Sequence, residues 1–194
     1  MGEGVRPPAT PSVKFTYDDF LHLPDDGRRH EIIDGEHHVT PSPNTKHQAI
    51  SFNLSGLLWA YLKERPIGRV FAAPFDVLLS DVDVVEPDLL YVSRGRLDIV
   101  TDKHVRGVPD LVVEIISRGT RRADEIVKRR LYERVGVSEY WAIDPRVNTI
   151  DVHRRGNDIF APGVELRLEN DDVLTTPLLP AFSARLAEIF AGTS

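Results

Sequence analysis

The chain has no cysteine among its 194 residues, and this absence removes several classes of protein from consideration. Without cysteine there is no disulfide framework, no zinc site with thiolate ligands and no cysteine nucleophile. No run of about 20 apolar residues occurs, so no segment is expected to span a membrane. The first residues, MGEGVRPPATPS, lack the apolar region of a secretory signal peptide. Together these features predict a cytoplasmic protein with no membrane partner.

Positive charge is also scarce, because 24 lysines and arginines face 30 aspartates and glutamates, for a net charge of −6. A partner made of phosphates would therefore need a local basic patch, since the overall field repels it. Basic residues are concentrated between positions 118 and 134. The alternative for this segment is a solvated helix face with charge pairs four residues apart. The sequence has neither a glycine-rich phosphate loop nor a Ser/His/Asp arrangement at a recognisable spacing.

The order of predicted elements favours a mixed α/β fold. Residues 1–12 are rich in proline and glycine and are expected to be flexible, and residues 13–194 are predicted to form one domain. Beyond them the pattern indicates a short helix, a hairpin at Asp34-Gly35, a helix over KHQAISFNLSGLLWAYLKER and several strands. A further helix and more strands follow. This order predicts a central mixed sheet flanked by helices.

Some individual assignments are specific enough to be tested against the structure. RVFAAPFDVLLS and DVVEPDLLYVS each have the composition of a strand, and a C-terminal helix is expected from about Ser183 to Phe190. Trp59 and Trp141 are predicted to lie in the core.

A carboxylate interrupts the apolar strand LVVEII, where Glu114 is surrounded by residues that favour burial. Two Pro-Asp dipeptides, ending in Asp88 and Asp110, offer a second carboxylate. Asp110 lies four residues from Glu114 on the same strand, about 13 Å away, which is too far to share one hard cation. If the Asp88 strand pairs with the Glu114 strand, the two carboxylates come together. Asp88 and Glu114 are therefore the predicted metal pair, and Asp110 is assigned to the start of a strand.

The helix after this strand places a lysine on its apolar face. Lys128 falls on the same arc as Leu131, Tyr132 and Val135, where an unpaired charge is costly. The alternative is a pair with Asp124 in which the lysine side chain is directed outward. Asp and Glu bind Mg²⁺, and a lysine can orient water or stabilise charge on a phosphate, so the set is suited to phosphodiester hydrolysis.

The segments HEIIDGE, VEPDLLYV and PDLVVEIIS, with the run GVSEYWAIDP, resemble the bacterial Uma family of restriction-endonuclease type, within the PD-(D/E)XK nuclease superfamily. The resemblance extends from about Phe15 to Phe190 and implies a restriction-endonuclease-like fold. It assigns the family's metal aspartate to Asp88 and its second carboxylate to Glu114. The superfamily's usual lysine position falls on Ile116, whereas this family carries the lysine on the next helix, as Lys128. Glu31 matches an upstream glutamate of the family.

The resemblance implies a Mg²⁺-dependent endonuclease, with Mn²⁺ as a substitute, that acts on DNA as a homodimer. Asp88, Glu114, Lys128 and Glu31 are its predicted catalytic residues. Two alternatives stay open: Glu114 paired with Lys128 without a metal, and an inactive module of the same fold that serves in binding or dimerisation. His47, at a predicted helix start, is a further candidate for lining the cleft.

Overall fold

A computed structural model describes residues 13–40, 42–117 and 123–193 of the chain. The predicted flexible N-terminus, residues 1–12, lies outside the described residues. The helices are α1 (Tyr17–Phe20), α2 (Thr45–Glu64), α3 (Arg129–Val135) and α4 (Leu186–Ile189). A π-helical segment, Ala123–Lys128, leads into α3, and 3₁₀ turns span Arg94–Ile99 and Leu168–Asn170. Within the described part, no helix is both long and apolar enough to cross a membrane.

The strands form two mixed sheets and a small ribbon. One sheet has the order β2 (Glu36–Thr40), β1 (Arg29–Ile33), β5 (Asp83–Val85), β4 (Val77–Ser80) and β7 (Val105–Arg106). The larger has the order β11 (Val164–Arg167), β10 (Thr149–Arg154), β9 (Glu139–Asp144), β8 (Leu111–Ile115), β6 (Leu89–Ser93) and β3 (Gly68–Ala72). A two-stranded ribbon pairs β12 (Val173–Thr175) with β13 (Ser183–Arg185). The predicted mixed α/β architecture is confirmed, with two sheets in place of one.

Prolines divide both of the long predicted strands. RVFAAPFDVLLS breaks near Pro74 into β3 and β4, and DVVEPDLLYVS breaks near Pro87 into β5 and β6. Proline has no amide hydrogen to give to a β-ladder, so a strand ends easily there. In each case the two halves belong to different sheets. Asp88 therefore stands where the chain passes from the smaller sheet into the larger one.

The predicted hairpin is confirmed between β1 and β2. Asp34 and Gly35 both have positive φ angles, 52° and 76°, which is the backbone geometry of the tight turns that close such hairpins. The register places Glu31 opposite His38. The turn thus fixes the register of the hairpin that carries Glu31.

The central strands of the larger sheet, β6, β8 and β9, are buried on both faces. Leu111, Val113 and Ile115 pack in a cluster with residues of α2 and α4. Val112 and Ile116 pack in a second cluster with Leu131 and Tyr132 of α3. Because side chains alternate along a strand, Glu114 belongs to the α3 face. The strand therefore places its one carboxylate beneath the segment that carries Lys128.

Two sequence assignments need correction. The predicted C-terminal helix begins later than expected, since Ser183–Arg185 is strand β13 and α4 spans only Leu186–Ile189. Trp141 is fully buried as predicted, but the prediction for Trp59 is wrong, since its side chain is 59 % exposed. Trp59 lies on the outer face of α2, where the Lys63 ammonium stands 5.2 Å from its ring centroid.

Candidate active site

A pocket of about 450 Å³ opens where the two sheets meet the start of α2. Asp88, Glu114 and Lys128 all line it. Glu31 is not part of the pocket wall, although its carboxylate contacts Lys128. The structure thus brings the four predicted residues into one cluster, with three of them facing the same space.

Strand pairing places the two residues that were predicted to bind the metal at neighbouring positions of the sheet. β6 and β8 are antiparallel, with Leu89 opposite Val113, so the next step of the register sets Asp88 beside Glu114. The amide N–H of Ile115 donates to Asp88 Oδ2 at 2.7 Å, across the same strand pair. The predicted adjacency of the Asp88 and Glu114 strands is confirmed.

Asp88 is 2 % exposed, and donors surround its carboxylate. Oδ1 accepts a hydrogen bond from Arg29 Nη1 at 3.0 Å, and Oδ2 lies 3.2 Å from His47 Nε2 in addition to the Ile115 amide. Burial opposes ionisation, but the His47 contact, the Arg29 charge and the Ile115 amide outweigh it and lower the pKa of Asp88. Asp88 is therefore held as a carboxylate. His47 does line the pocket, as the sequence suggested.

Lys128 joins two glutamates. Its Nζ lies 2.9 Å from Glu31 Oε1 and 3.0 Å from Glu114 Oε1, and its side chain is only 3 % exposed. The Tyr132 hydroxyl donates to the same Glu114 oxygen at 2.6 Å. The outward-lysine alternative is therefore wrong, and the side chain of Asp124 lies outside the described residues. The Lys128–Glu114 pair that the metal-free alternative requires is present.

The other Pro-Asp dipeptide lies away from the pocket. Asp110 stands directly before β8, where its carboxylate accepts from the Ser93 amide and from Arg96 Nη1, both at 2.7 Å. These bonds fix the start of the strand, as expected for Asp110. Ile116, at the superfamily's usual lysine position, packs in the apolar cluster beneath α3.

Three residues of the site were not predicted from the sequence: Arg29, Glu86 and Tyr132. Arg29 is buried between Glu86 and Asp88, with its Nε 2.8 Å from Glu86 Oε1. Tyr132 was predicted only to lie on the apolar face of its helix. For Arg29 and Glu86 the sequence did contain a signal. Arg29 precedes Glu31 by two residues, and Glu86 precedes Asp88 by two residues. In extended chain that spacing puts side chains on the same face.

Negative charge exceeds positive charge in this cluster. Glu31, Glu86, Asp88 and Glu114 share it with Arg29 and Lys128. Burial raises the pKa of Glu86, against the opposing charge of Arg29. Burial alone would lower the pKa of Arg29, but the carboxylates of Asp88, Glu114, Glu31 and Glu86 raise it, so the guanidinium stays charged.

The donor set suits a small hard cation. Among the described residues no group of three or more His, Asp or Glu side chains is placed to hold a metal. Mg²⁺ usually takes one or two protein carboxylates and completes its shell with water and substrate phosphates. Asp88 and Glu114 meet that requirement and line a pocket with room for water. Both carboxylates now bind protein cations, so a metal would have to compete with them.

The mixed α/β fold, with its pocket at the junction of the two sheets, is that of a restriction-endonuclease-like protein. The model of the Uma2 family, described as putative restriction endonuclease, matches residues 17–187, and the chain belongs to this family. A solved structure of a putative nuclease of the DUF820 family, from Anabaena variabilis, superposes with a TM-score of 0.77 at 22 % identity. The match covers 92 % of this chain and 99 % of the other, and it shows a shared fold. No curated protein matches the chain.

Proposed function

We propose that the chain is a Mg²⁺-dependent endonuclease that hydrolyses phosphodiester bonds in DNA, with Mn²⁺ able to substitute. The observation that carries this proposal is the meeting of Asp88, Glu114 and Lys128 in one pocket at the junction of the two sheets. Membership of a family whose model is described as putative restriction endonuclease supports the choice of substrate class.

Each residue has a task that its contacts support. Asp88 and Glu114 would hold the cation, which when bound supplies positive charge against the negative charge that develops at phosphorus. Lys128 holds a water or a phosphate oxygen with an N–H donor that is already oriented by Glu31. In hydrolysis the water oxygen bonds to phosphorus and the bond to the 3′-oxygen breaks. The proton that the water loses balances the proton that the leaving 3′-oxygen takes up. Glu31 acts as a positioning residue, because it contacts Lys128 but not the pocket.

The assembly and location follow from the reaction. A single pocket of this kind cuts one strand, so cleavage of a duplex calls for two copies related by a two-fold axis. We therefore propose that the chain forms a symmetric homodimer. In each copy, residues 13–194 form one nuclease domain, and the dimer acts in the cytoplasm. Sedimentation velocity of the full chain would give the mass, and a monomer at assay concentrations would contradict this part of the proposal.

An inactive binding or dimerisation module is the second candidate, and one observation favours it. Lys128 already neutralises Glu114, and both oxygens of Asp88 already accept hydrogen bonds. A site in which both predicted metal ligands already bind protein donors can be stable without a metal. The nuclease and the module therefore differ in whether these pairs open.

Plasmid nicking with Mg²⁺ or Mn²⁺ separates the two candidates. We expect Lys128→Ala to lower the cleavage rate by about 10²- to 10³-fold, the usual effect of losing one transition-state donor, while Mn²⁺ binding persists. Glu114→Ala should lose both cleavage and Mn²⁺ binding. Lys128→Arg should not restore full activity, because a planar guanidinium presents its donors differently from an ammonium. Arg130→Ala is the matched control, since Arg130 is an exposed basic residue on α3.

The outcomes are distinct. No cleavage by the wild type over a broad panel of DNA and RNA would favour the binding module. Equal cleavage by the wild type and Lys128→Ala would keep the nuclease and remove Lys128 from its mechanism. A second variant, Ile116→Lys with Lys128→Ala, returns the lysine to the superfamily's usual strand position, and partial recovery would support a role for the ammonium itself.

A further inference from the structure

Arg29 is a permanently charged residue of the pocket wall, and it is held between two carboxylates. Its Nη1 donates to Asp88 Oδ1 at 3.0 Å and its Nε lies 2.8 Å from Glu86 Oε1. The side chain is only 15 % exposed, and Arg29, Glu86 and Asp88 all line the pocket. A charged side chain this buried needs partners, and here the partners are one predicted metal ligand and one carboxylate with no assigned role.

The contacts of Asp88 mean that a metal ion would compete with the protein donors that its carboxylate already binds. Oδ2 is bound by the Ile115 amide, which the strand backbone fixes in place, and by His47. Oδ1 is bound by Arg29, whose permanent charge also repels an approaching cation. Release of Arg29 from Asp88 would free an oxygen and remove a repulsive contact at the same time.

Glu86 can hold the Arg29 guanidinium by an ion pair after Arg29 has left Asp88. Its carboxylate lies 2.8 Å from the Nε of the guanidinium, whereas the donor to Asp88 is Nη1. A guanidinium has five donors in a fixed plane and binds phosphate oxygens well. Held by Glu86 alone, Arg29 would keep its Nη donors beside the pocket that Asp88 and Glu114 also line.

We propose that Arg29 stays hydrogen-bonded to Asp88 until a divalent cation binds this carboxylate. The donors of Arg29 that are then released bind a phosphate oxygen of the substrate, while Glu86 keeps its ion pair with the guanidinium. The second half of this inference rests on the proposed nuclease function, whereas the first half concerns the metal alone. Arg29 thus competes with the metal and then assists the substrate.

The first test measures Mn²⁺ binding without nucleic acid. In Arg29→Gln the competing hydrogen bond and charge are gone, so titration calorimetry should show Mn²⁺ affinity raised roughly tenfold, the effect of one charged hydrogen bond. Arg28→Gln is the matched control, because this substitution removes the same charge from the same pocket. The guanidinium of Arg28 pairs with Asp26 and not with Asp88. Affinity in Arg29→Gln no higher than in this control would overturn the inference.

The second test measures nicking of supercoiled plasmid at saturating Mn²⁺. Arg29→Gln should cleave about 10²-fold more slowly although it binds Mn²⁺ more tightly, and Arg29→Lys should recover part of the rate. A purely structural arginine would lose metal affinity and cleavage together. Cleavage at the wild-type rate would overturn the phosphate role.

The two halves fail separately. If the wild type cleaves nothing, the proposed function and the phosphate role both fall, while calorimetry still decides whether Arg29 competes for Asp88. If Arg29→Gln does not fold by circular dichroism, Arg29→Lys takes its place. An ammonium does not have the forked donors that let Arg29 bind Glu86 and Asp88 together, so the Mn²⁺ affinity of Arg29→Lys should rise a few-fold. An unchanged affinity would contradict the proposal that Arg29 competes with the metal for Asp88.

Discussion

A carboxylate in the middle of an apolar strand is stable here because two donors reach one of its oxygens. Glu114 Oε1 accepts from Lys128 Nζ and from the Tyr132 hydroxyl, and all three residues are buried. Lys128 in turn binds Glu31, so the strand, the helical segment and the hairpin each contribute one group. A buried ion pair of this kind contributes little net stability, but it is costly to break by removing one partner.

The Tyr132 hydroxyl should add measurable stability to this pair. Burial, followed by the charge of Glu114, raises the pKa of Tyr132 well above its ordinary value, so the hydroxyl remains a donor. Tyr132→Phe should lower the free energy of unfolding by about 1–3 kcal/mol, the range for a lost hydrogen bond to a charged group. Urea denaturation measures this, with Tyr17→Phe on α1 as the control. An unchanged midpoint would mean that Glu114 does not need the Tyr132 hydroxyl.

Residue-level prediction succeeded where periodicity decides the outcome. The helical spacing of Leu131, Tyr132 and Val135 identified Lys128 as inward, and the structure places it at 3 % exposure. Arg29 was missed because its importance comes from Glu86 and Asp88, which lie more than fifty positions later in the chain. Trp59 was wrongly assigned to the core because its size suggests burial, whereas its position on the outer face of α2 decides its exposure.

At the scale of elements, strand composition predicted that residues are extended but not which sheet they join. Both long predicted strands divide at a proline and contribute to two sheets. The pairing of β6 with β8 followed from the carboxylate argument, and it is confirmed. The smaller sheet could not be predicted, because its order depends on contacts between β1 and β5, which are distant in sequence.

The edge strand β3 depends on a glycine at its first position. A Cβ on Gly68 would lie 2.4 Å from the Tyr91 ring and 2.4 Å from the Val92 carbonyl oxygen, and the backbone contact cannot be relieved by a rotamer change. Gly68→Ala should therefore destabilise the protein by about 1–3 kcal/mol, as overpacking usually does.

The control for this variant is Gly56→Ala on α2, where no atom lies within 4 Å of the added Cβ. Alanine is the better helix former, so Gly56→Ala should raise stability by about 0.5–1 kcal/mol. Chemical denaturation of both variants gives the comparison. Equal stability of Gly68→Ala and the wild type would show that β3 can move away from β6 at no cost.

At the scale of the whole molecule, the two sheets converge on a site where negative charge is in excess. The chain as a whole carries a net charge of −6, so the cluster around Asp88 and Glu114 adds to an already negative field. That field attracts divalent cations and repels nucleic acid. Binding of the metal would thus also reduce the repulsion that a phosphate substrate meets at the pocket.

A metal that binds only the folded chain should raise its melting temperature by mass action. At a free Mn²⁺ concentration about 100 times the dissociation constant the gain is about 2.7 kcal/mol, which for a chain of this size corresponds to roughly 5–10 °C. Asp88→Asn should abolish most of this increment. Asp110→Asn is the matched control, because Asp110 is also buried after a proline but binds Ser93 and Arg96 outside the pocket. It should lower the melting temperature by itself yet respond to Mn²⁺ as the wild type does. Scanning calorimetry at constant ionic strength separates specific binding from screening, and an equal Mn²⁺ increment in Asp88→Asn and the wild type would remove Asp88 from the metal site.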